Sequence, residues 1–248
     1  MSFLSYRLKY DFYGLKPFVI TVVIVELLAV FFLSQANHMD DLYNSLYVFF
    51  DIIMPMIFSI LVLLVFGRDI TQQNLEFLFS LPIKIYKLIL IRYIRVLCLF
   101  LFICCPIMIV FYMNLLKLDS GAQICFWDIM VLLAKILPNV FALGGLSLLL
   151  LVLSKNTFVP LVMIIGWIIF DFCTFGKLLG LVSITANYYT ELPSQMYIAN
   201  RVAFAAAGVI SPLLSWVIMQ LYFKGRAAAF SRHSPRAFSK MRNNPPCP

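Results

Sequence analysis

Charge is scarce in this chain, and histidine is scarcer still. Only 12% of its 248 residues are Asp, Glu, Lys or Arg, about half the share in a soluble domain. The two histidines, His38 and His233, lie outside every long apolar stretch. No histidine inside those stretches can therefore act as a general base or complete a metal or haem site. No Gly-x-x-x-x-Gly-Lys-Ser/Thr loop occurs, which excludes nucleotide hydrolysis of the phosphate-loop kind by this chain. Gly145-Leu146-Ser147 contains a serine, but a serine nucleophile needs an adjacent base, and intramembrane hydrolysis is excluded for want of one. The net charge of +8 comes from residues at the ends of apolar runs, a pattern that speaks of membrane topology before nucleic acid. Cysteine is sparse too. Cys98, Cys104 and Cys105 fall together in one apolar run and read as buried apolar residues. Cys125 and Cys173 both fall near the outer face, where a disulfide or two free thiols remain open.

What the chain has is apolar length. Its residues are 63% hydrophobic and its mean hydropathy is +0.97, more than one soluble core can hide. Six runs stand out, at 18–33, 46–66, 96–113, 129–153, 158–175 and 202–223. A spanning helix needs roughly 20 mostly apolar residues, so six helices and their connections use the whole length. The runs are continuous, not alternating, which favours helices over barrel strands. Prolines inside them are tolerable, because neighbouring helices satisfy the freed backbone groups. The fourth and fifth runs are joined only by Ser154, Lys155, Asn156 and Thr157, which predicts a tight helical hairpin. Gly144 and Gly145 predict a close helix crossing. The expected fold is all-α, a polytopic membrane protein of six transmembrane helices over residues 1–223. A basic tail, 224–248, is expected to be disordered and to touch anionic lipid. The first run has a rival reading as a secretion signal, since Ser34-Gln35-Ala36 follows it with cleavage-like spacing.

Orientation follows from lysine and arginine. Arg7, Lys9 and Lys16 precede the first run, and Arg68, Lys84, Lys87, Arg92 and Arg95 surround the second connection. Lys155 lies in the fourth, and Lys224, Arg226, Arg232, Arg236, Lys240 and Arg242 fill the tail. The other side has only Lys117, Lys177 and Arg201, with Lys135 inside a run. The rich side is expected to be cytoplasmic, which places the chain in a cell membrane with both termini inside.

The second connection is more than a loop. Asp69 with Gln72 three residues on makes a start like a capping box, and Pro82 stops a helix at Leu81. At 100° per residue, Gln72, Gln73, Glu76 and Ser80 form a polar stripe, with Ile70, Phe77, Leu78 and Leu81 opposite. The spacing predicts a short amphipathic helix at the cytoplasmic interface. Periodicity alone leaves open whether it merely anchors the bundle or docks a partner.

An acidic residue in an amphipathic stretch, Gln73 to Glu76, precedes Phe77-Leu78-Phe79-Ser80-Leu81-Pro82, and Lys84 and Lys87 then lead into a helix. This arrangement resembles the membrane subunits of ATP-binding-cassette exporters of the second type, the ABC-2 permeases. The stretch 138–153 ending in Ser154-Lys155-Asn156, and a last helix ending at Lys224 and Arg226, resemble that family as well. The resemblance spans nearly the whole chain in layout, its motifs are degenerate, and residues 230–248 match nothing in it. It implies that Ile70, Gln72, Gln73, Glu76, Phe77, Leu78, Ser80 and Leu81 dock on a cytoplasmic ABC ATPase subunit. It implies a second permease, identical or related, ATP and Mg on the partner ATPase, and no cofactor on this chain. The expected function is export driven by that ATPase, with membrane lipid as surroundings and no nucleic acid. The alternative is a non-transporting assembly or signalling partner.

Carboxylates inside apolar runs are functional candidates, because each costs about 2.5–3.5 kcal/mol at a helix centre. Glu26 sits mid-run. Asp51, Asp128 and Asp171 lie toward outer helix ends, where reaching interfacial water is the simpler reading. Glu26, Asp51 and Asp171 are the candidates for a substrate pathway or for pairing helices, and Lys135 is a candidate ion-pair partner.

Overall fold

The structure is a computed structural model, and it describes residues 20–70, 85–118, 126–187 and 194–242. Every regular element among them is helical. The helices are α1 (Ile20–Ser34), α2 (Met39–Val48), α3 (Met54–Ile70), α4 (Ile85–Leu118), α5 (Phe126–Ser154), α6 (Phe158–Cys173) and α7 (Ser194–Arg242). Four stretches are long and apolar enough to cross a membrane: Met39–Gly67, Ile89–Leu118, Ile129–Ser154 and Gln195–Tyr222. Ile20–Ser34 and Phe158–Cys173 are shorter apolar helices. Leu27, Phe102, Ile109, Val162, Val209 and Leu221 stand exposed, an apolar surface of the kind that a membrane covers.

The second run is part of a longer helix than hydropathy predicts. Helix begins at Met39, where Asp40 and Asp41 occupy the first turn and their charges suit the positive end of the helix dipole. A π turn, Phe49–Ile53, joins α2 to α3, and the Met54 N–H reaches back to the Phe49 carbonyl. Pro55 explains the widening. It has no N–H to offer the carbonyl of Asp51 four residues earlier, so the α pattern cannot close at that turn. The last run likewise lies in a longer helix. No proline or glycine interrupts 194–207, so α7 starts at Ser194 and its backbone stays helical to Arg242, through most of the segment that composition sets apart as a tail.

α5 is the hub, with its broadest contacts to α7 and then α3. Small residues make the α5–α7 approach. A Cβ built at Gly208 would lie 2.7 Å from the Cβ of Phe141 and 2.9 Å from its carbonyl carbon. A Cβ built at Gly145 would lie 3.1–3.3 Å from Pro212, Ser211 and the Gly208 carbonyl oxygen. That carbonyl is free to face outward because Pro212, four residues on, cannot bond to it. Ser211 and Ser215 are buried on the same helix face, and the Ser215 hydroxyl donates to the Ser211 carbonyl at 2.8 Å. Gly208→Leu is therefore expected to force the two backbones apart at about 1–3 kcal/mol or more and to lower the melting temperature of the purified protein by several degrees. Gly166→Leu is the control, since nothing lies within 4 Å of a Cβ there. Equal melting of the two variants would refute the close crossing.

The predicted hairpin is present. α5 ends at Ser154 and α6 begins at Phe158. Lys155 adopts a left-handed φ of 54°, and the Phe158 N–H donates to the Asn156 side-chain oxygen at 2.9 Å. Lys155 also sets its ammonium 4.3 Å from the Tyr222 ring centroid, tying the hairpin to α7. At the other end of the sequence, α1 packs through Val22, Ala29 and Leu33, and Asn114 of α4 donates to the Leu33 carbonyl at 3.2 Å. Aromatic rings fill the core between α3 and α4, with Phe58 and Phe100 4.9 Å apart.

Candidate functional site: a buried polar layer

A bundle of apolar helices gains nothing from a charge in its interior unless that charge is bonded. Here several polar side chains meet at one level, where the π turn, α5, α7 and the segment after α6 converge. The π turn aims Asp51 inward, and Asp51 is 0% exposed. Asn139 of α5 donates from its amide nitrogen to Asp51 Oδ1 at 2.8 Å and to the Ile184 carbonyl at 2.7 Å. Arg201 of α7 donates from Nη1 to Asn139 Oδ1 at 2.7 Å. A guanidinium has no acceptor, so the atom that it meets must be the amide oxygen. The orientation of Asn139 is thereby fixed, with the carboxylate on its nitrogen side and the cation on its oxygen side. The Arg201 guanidinium lies 5.1 Å from the Tyr197 ring centroid, and Tyr47 stands within electrostatic range of both Asp51 and Arg201.

Asp171, at the end of α6, organises the segment that follows. It is also 0% exposed. Its Oδ2 accepts from the Ile184 N–H at 2.7 Å, the Thr185 N–H at 2.9 Å, the Thr185 hydroxyl at 3.1 Å and the Ser183 hydroxyl at 3.2 Å. Its backbone carbonyl accepts from the Gly176 N–H at 3.0 Å. Gly176 has φ +70°, and a Cβ there would lie 2.7 Å from the Ser183 hydroxyl oxygen, so a glycine is required on both counts. Two 3-10 turns, Gly180–Val182 and Ile184–Asn187, carry the chain over the bundle end. Asn200 holds the first of them, donating to the Leu181 and Ser183 carbonyls at 2.7 and 2.9 Å. Asp171 thus presents Ile184, and Ile184 supplies the carbonyl that Asn139 needs. The two carboxylates belong to one construction.

The expectation that Asp51 and Asp171 reach interfacial water is overturned, since both are buried and bonded. Arg201 is corrected too: it lies inside α7 and in the polar layer, not in a connection. Glu26 is elsewhere, half-buried on α1 and within electrostatic range of Cys104, and Lys135 is half-buried on α5. Ile70 is buried at the end of α3. Gln72, Gln73, Glu76, Phe77, Leu78, Ser80 and Leu81 lie outside the described residues, as do Cys125 and the side chain of Asp128. Cys173 is exposed. Ser147 is buried and donates to the Leu143 carbonyl at 2.8 Å, a bond within its own helix. Asn139, Asn200, Ser183 and Thr185 were not visible as site residues from sequence. A signal existed for Asn139, an amide directly after Pro138 in the middle of an apolar run.

The layer offers charge and hydrogen bonds. No family model, curated protein or solved structure matches the chain.

Proposed function

We propose that this chain is the permease subunit of an ABC exporter, moving a substrate outward under the drive of a separate cytoplasmic ATPase that holds ATP and Mg. The observation that carries the proposal is the sequence from Ile70 to Leu81. It is striped by Gln72, Gln73, Glu76 and Ser80, carries Pro82 at its end and is followed by Lys84 and Lys87; the cap expected at Asp69 is not a helix start, because Asp69 lies inside α3. In sequence the stretch follows directly on α3, whose last residue, Ile70, is buried among the core.

The membrane frame supports the reading. Four helices have spanning length. α1 and α6, at 15 and 16 residues, reach roughly 22–24 Å at 1.5 Å per residue. They join the same core as the longer helices and complete six spans in a locally thinned bilayer. With Arg201 drawn into the bundle, the poor side keeps only Lys117, in the last turn of α4, and Lys177, which sharpens the charge asymmetry behind cytoplasmic termini. A second permease, identical or related, completes the transporter. In this reading Asp51 and Asp171 pair helices, and Glu26, half-buried on α1, is the candidate nearest a lipid-facing pathway.

Glu76→Lys is the test. A docked Glu76 is buried against the ATPase, and breaking a buried pair costs about 3–5 kcal/mol, against about 0–1 kcal/mol for a surface charge. The variant is expected to insert normally and to lose assembly with the ATPase, or to lose the coupling of hydrolysis to transport, in pull-down and ATPase measurements on the reconstituted complex. Unchanged assembly together with unchanged coupling would remove the docking role. Purification of the native protein with no ATPase attached would favour an assembly or signalling partner instead.

A further inference from the structure

Arg201 is 7% exposed, and it uses only one edge of its guanidinium on Asn139. Its Nε and Nη2 are buried and make no hydrogen bond to any described residue. Those two nitrogens are not an arbitrary pair. They form the side of the guanidinium whose N–H bonds run parallel, the fork that fits two oxygens of one carboxylate or phosphate. A buried fork left without an acceptor is costly, and inside a membrane there is little water to fill it. Asn139 keeps the Asp51 carboxylate one amide away, so the carboxylate does not take up the fork. Tyr47 and Tyr197 are both only half-buried; Tyr47 stands within electrostatic range of Arg201, and Tyr197 interacts with the Arg201 side chain by charge and by a hydrogen bond, so an incoming oxyanion would displace that phenol from the guanidinium.

We infer that the Nε/Nη2 edge of Arg201 is an oxyanion-binding site, which takes a carboxylate or phosphate group in bidentate fashion beside Tyr47 and Tyr197. The site goes beyond the export reading and stands without it, because it rests only on the described bundle. Asp51 acts against the bound anion through its like charge, so the layer holds an oxyanion reversibly and not as a permanent counter-ion.

The test uses the purified full chain and two sources of the same chemistry. In an uncharged detergent, inorganic phosphate, acetate and chloride are titrated at constant ionic strength while melting is followed. In nanodiscs, phosphatidylglycerol is compared with phosphatidylcholine. Phosphate and acetate are expected to raise the melting temperature with a saturating dependence. Chloride, one weakly basic sphere that meets both donors only at bent angles, is expected to raise it much less. Stabilisation by phosphatidylglycerol alone would assign the site to a lipid headgroup. Arg201→Lys keeps the charge and loses the fork, and should weaken the apparent affinity for the oxyanion by about tenfold or more, near the value of one strong charge-assisted bond. Asp51→Asn removes the opposing charge and should tighten it by about tenfold. No response to any probe, a response to chloride equal to that of phosphate, or unchanged affinity in a folded Arg201→Lys variant would overturn the site. The chloride comparison needs no variant, so it decides even where a substitution prevents folding.

Discussion

Asn139→Leu is expected to be among the most destabilising single substitutions in the bundle. Leucine shares the branched outline of asparagine and fits the helix, so the change removes bonds, and its larger methyl groups add crowding in the same destabilising direction. Three partners lose their bond at once: Asp51 Oδ1, Arg201 Nη1 and the Ile184 carbonyl. Two of the three belong to charged side chains that are buried, and separating buried charges from their partners costs about 3–5 kcal/mol. At roughly 2–4 °C per kcal/mol for a chain of this size, the melting temperature should fall by about 10 °C. Cys104 supplies the probe. It is buried, whereas Cys98, Cys105 and Cys173 are exposed, so in a chain whose five other cysteines are serine its reaction with a thiol-specific dye reports unfolding. A variant that melts within about 2 °C of its parent would show that Asn139 does not join the layer.

The second large effect belongs to Asp171, and it should be local first. Four donors converge on one oxygen, and bonds to a charged acceptor contribute about 1.5–3 kcal/mol each against about 0.5–1.5 for neutral ones. Asp171→Asn keeps the shape and an acceptor but loses the charge, and it replaces one carboxylate oxygen with a donor. Asp171→Ala leaves the Ile184 and Thr185 amides with nothing to bond. Hydrogen exchange at those two amides should accelerate by about tenfold in the first variant and by a hundredfold or more in the second, before the helices themselves lose protection. If exchange at Ile184 and Thr185 stays at the parent rate in Asp171→Ala, the carboxylate is not what holds the segment.

Hydropathy makes the helices legible. Among the described residues all six apolar runs are helical but for Thr174 and Phe175 at the end of the fifth, and the turn between α5 and α6 falls at Ser154 to Thr157 because four polar residues between two long apolar runs allow little else. Boundaries were less legible wherever polar residues belong to a helix. Asp40, Asp41 and Asn44 hide the first turns of the helix that begins at Met39, and Arg201 marks a false start for α7, since a hydropathy profile treats a buried arginine as a loop residue. Asp51 and Asp171 are visible as carboxylates in apolar sequence, but their environment is not. Asn139 is 88 residues from Asp51 and 62 from Arg201, and nothing local in the chain announces that these three share a level. Asp171 and its acceptor role lie closer, within 14 residues of Thr185, and even there the signal is only a scatter of serine, threonine and glycine. The amphipathic pattern of 70–81 is a property of sequence and belongs to the functional proposal.

The π turn at Phe49–Ile53 bears on how this chain can vary over time. Leu42, Leu46, Phe50, Met54 and Phe58 are all buried at intervals of four. In a uniform 3.6-residue helix that interval drifts by about 40° at each step, and over four steps the inward stripe would wander to the outside. The wider turn absorbs the drift and keeps one face of 39–70 directed at α5 on both sides of Asp51. Phase along this helix is therefore set by residue count as much as by residue type. Substitutions among leucine, isoleucine, methionine and phenylalanine leave the phase alone, while loss of one residue between 49 and 53 would rotate α2 by about 100° against α3. Lineages of this protein should accordingly exchange side chains freely along 39–70 and hold its length constant.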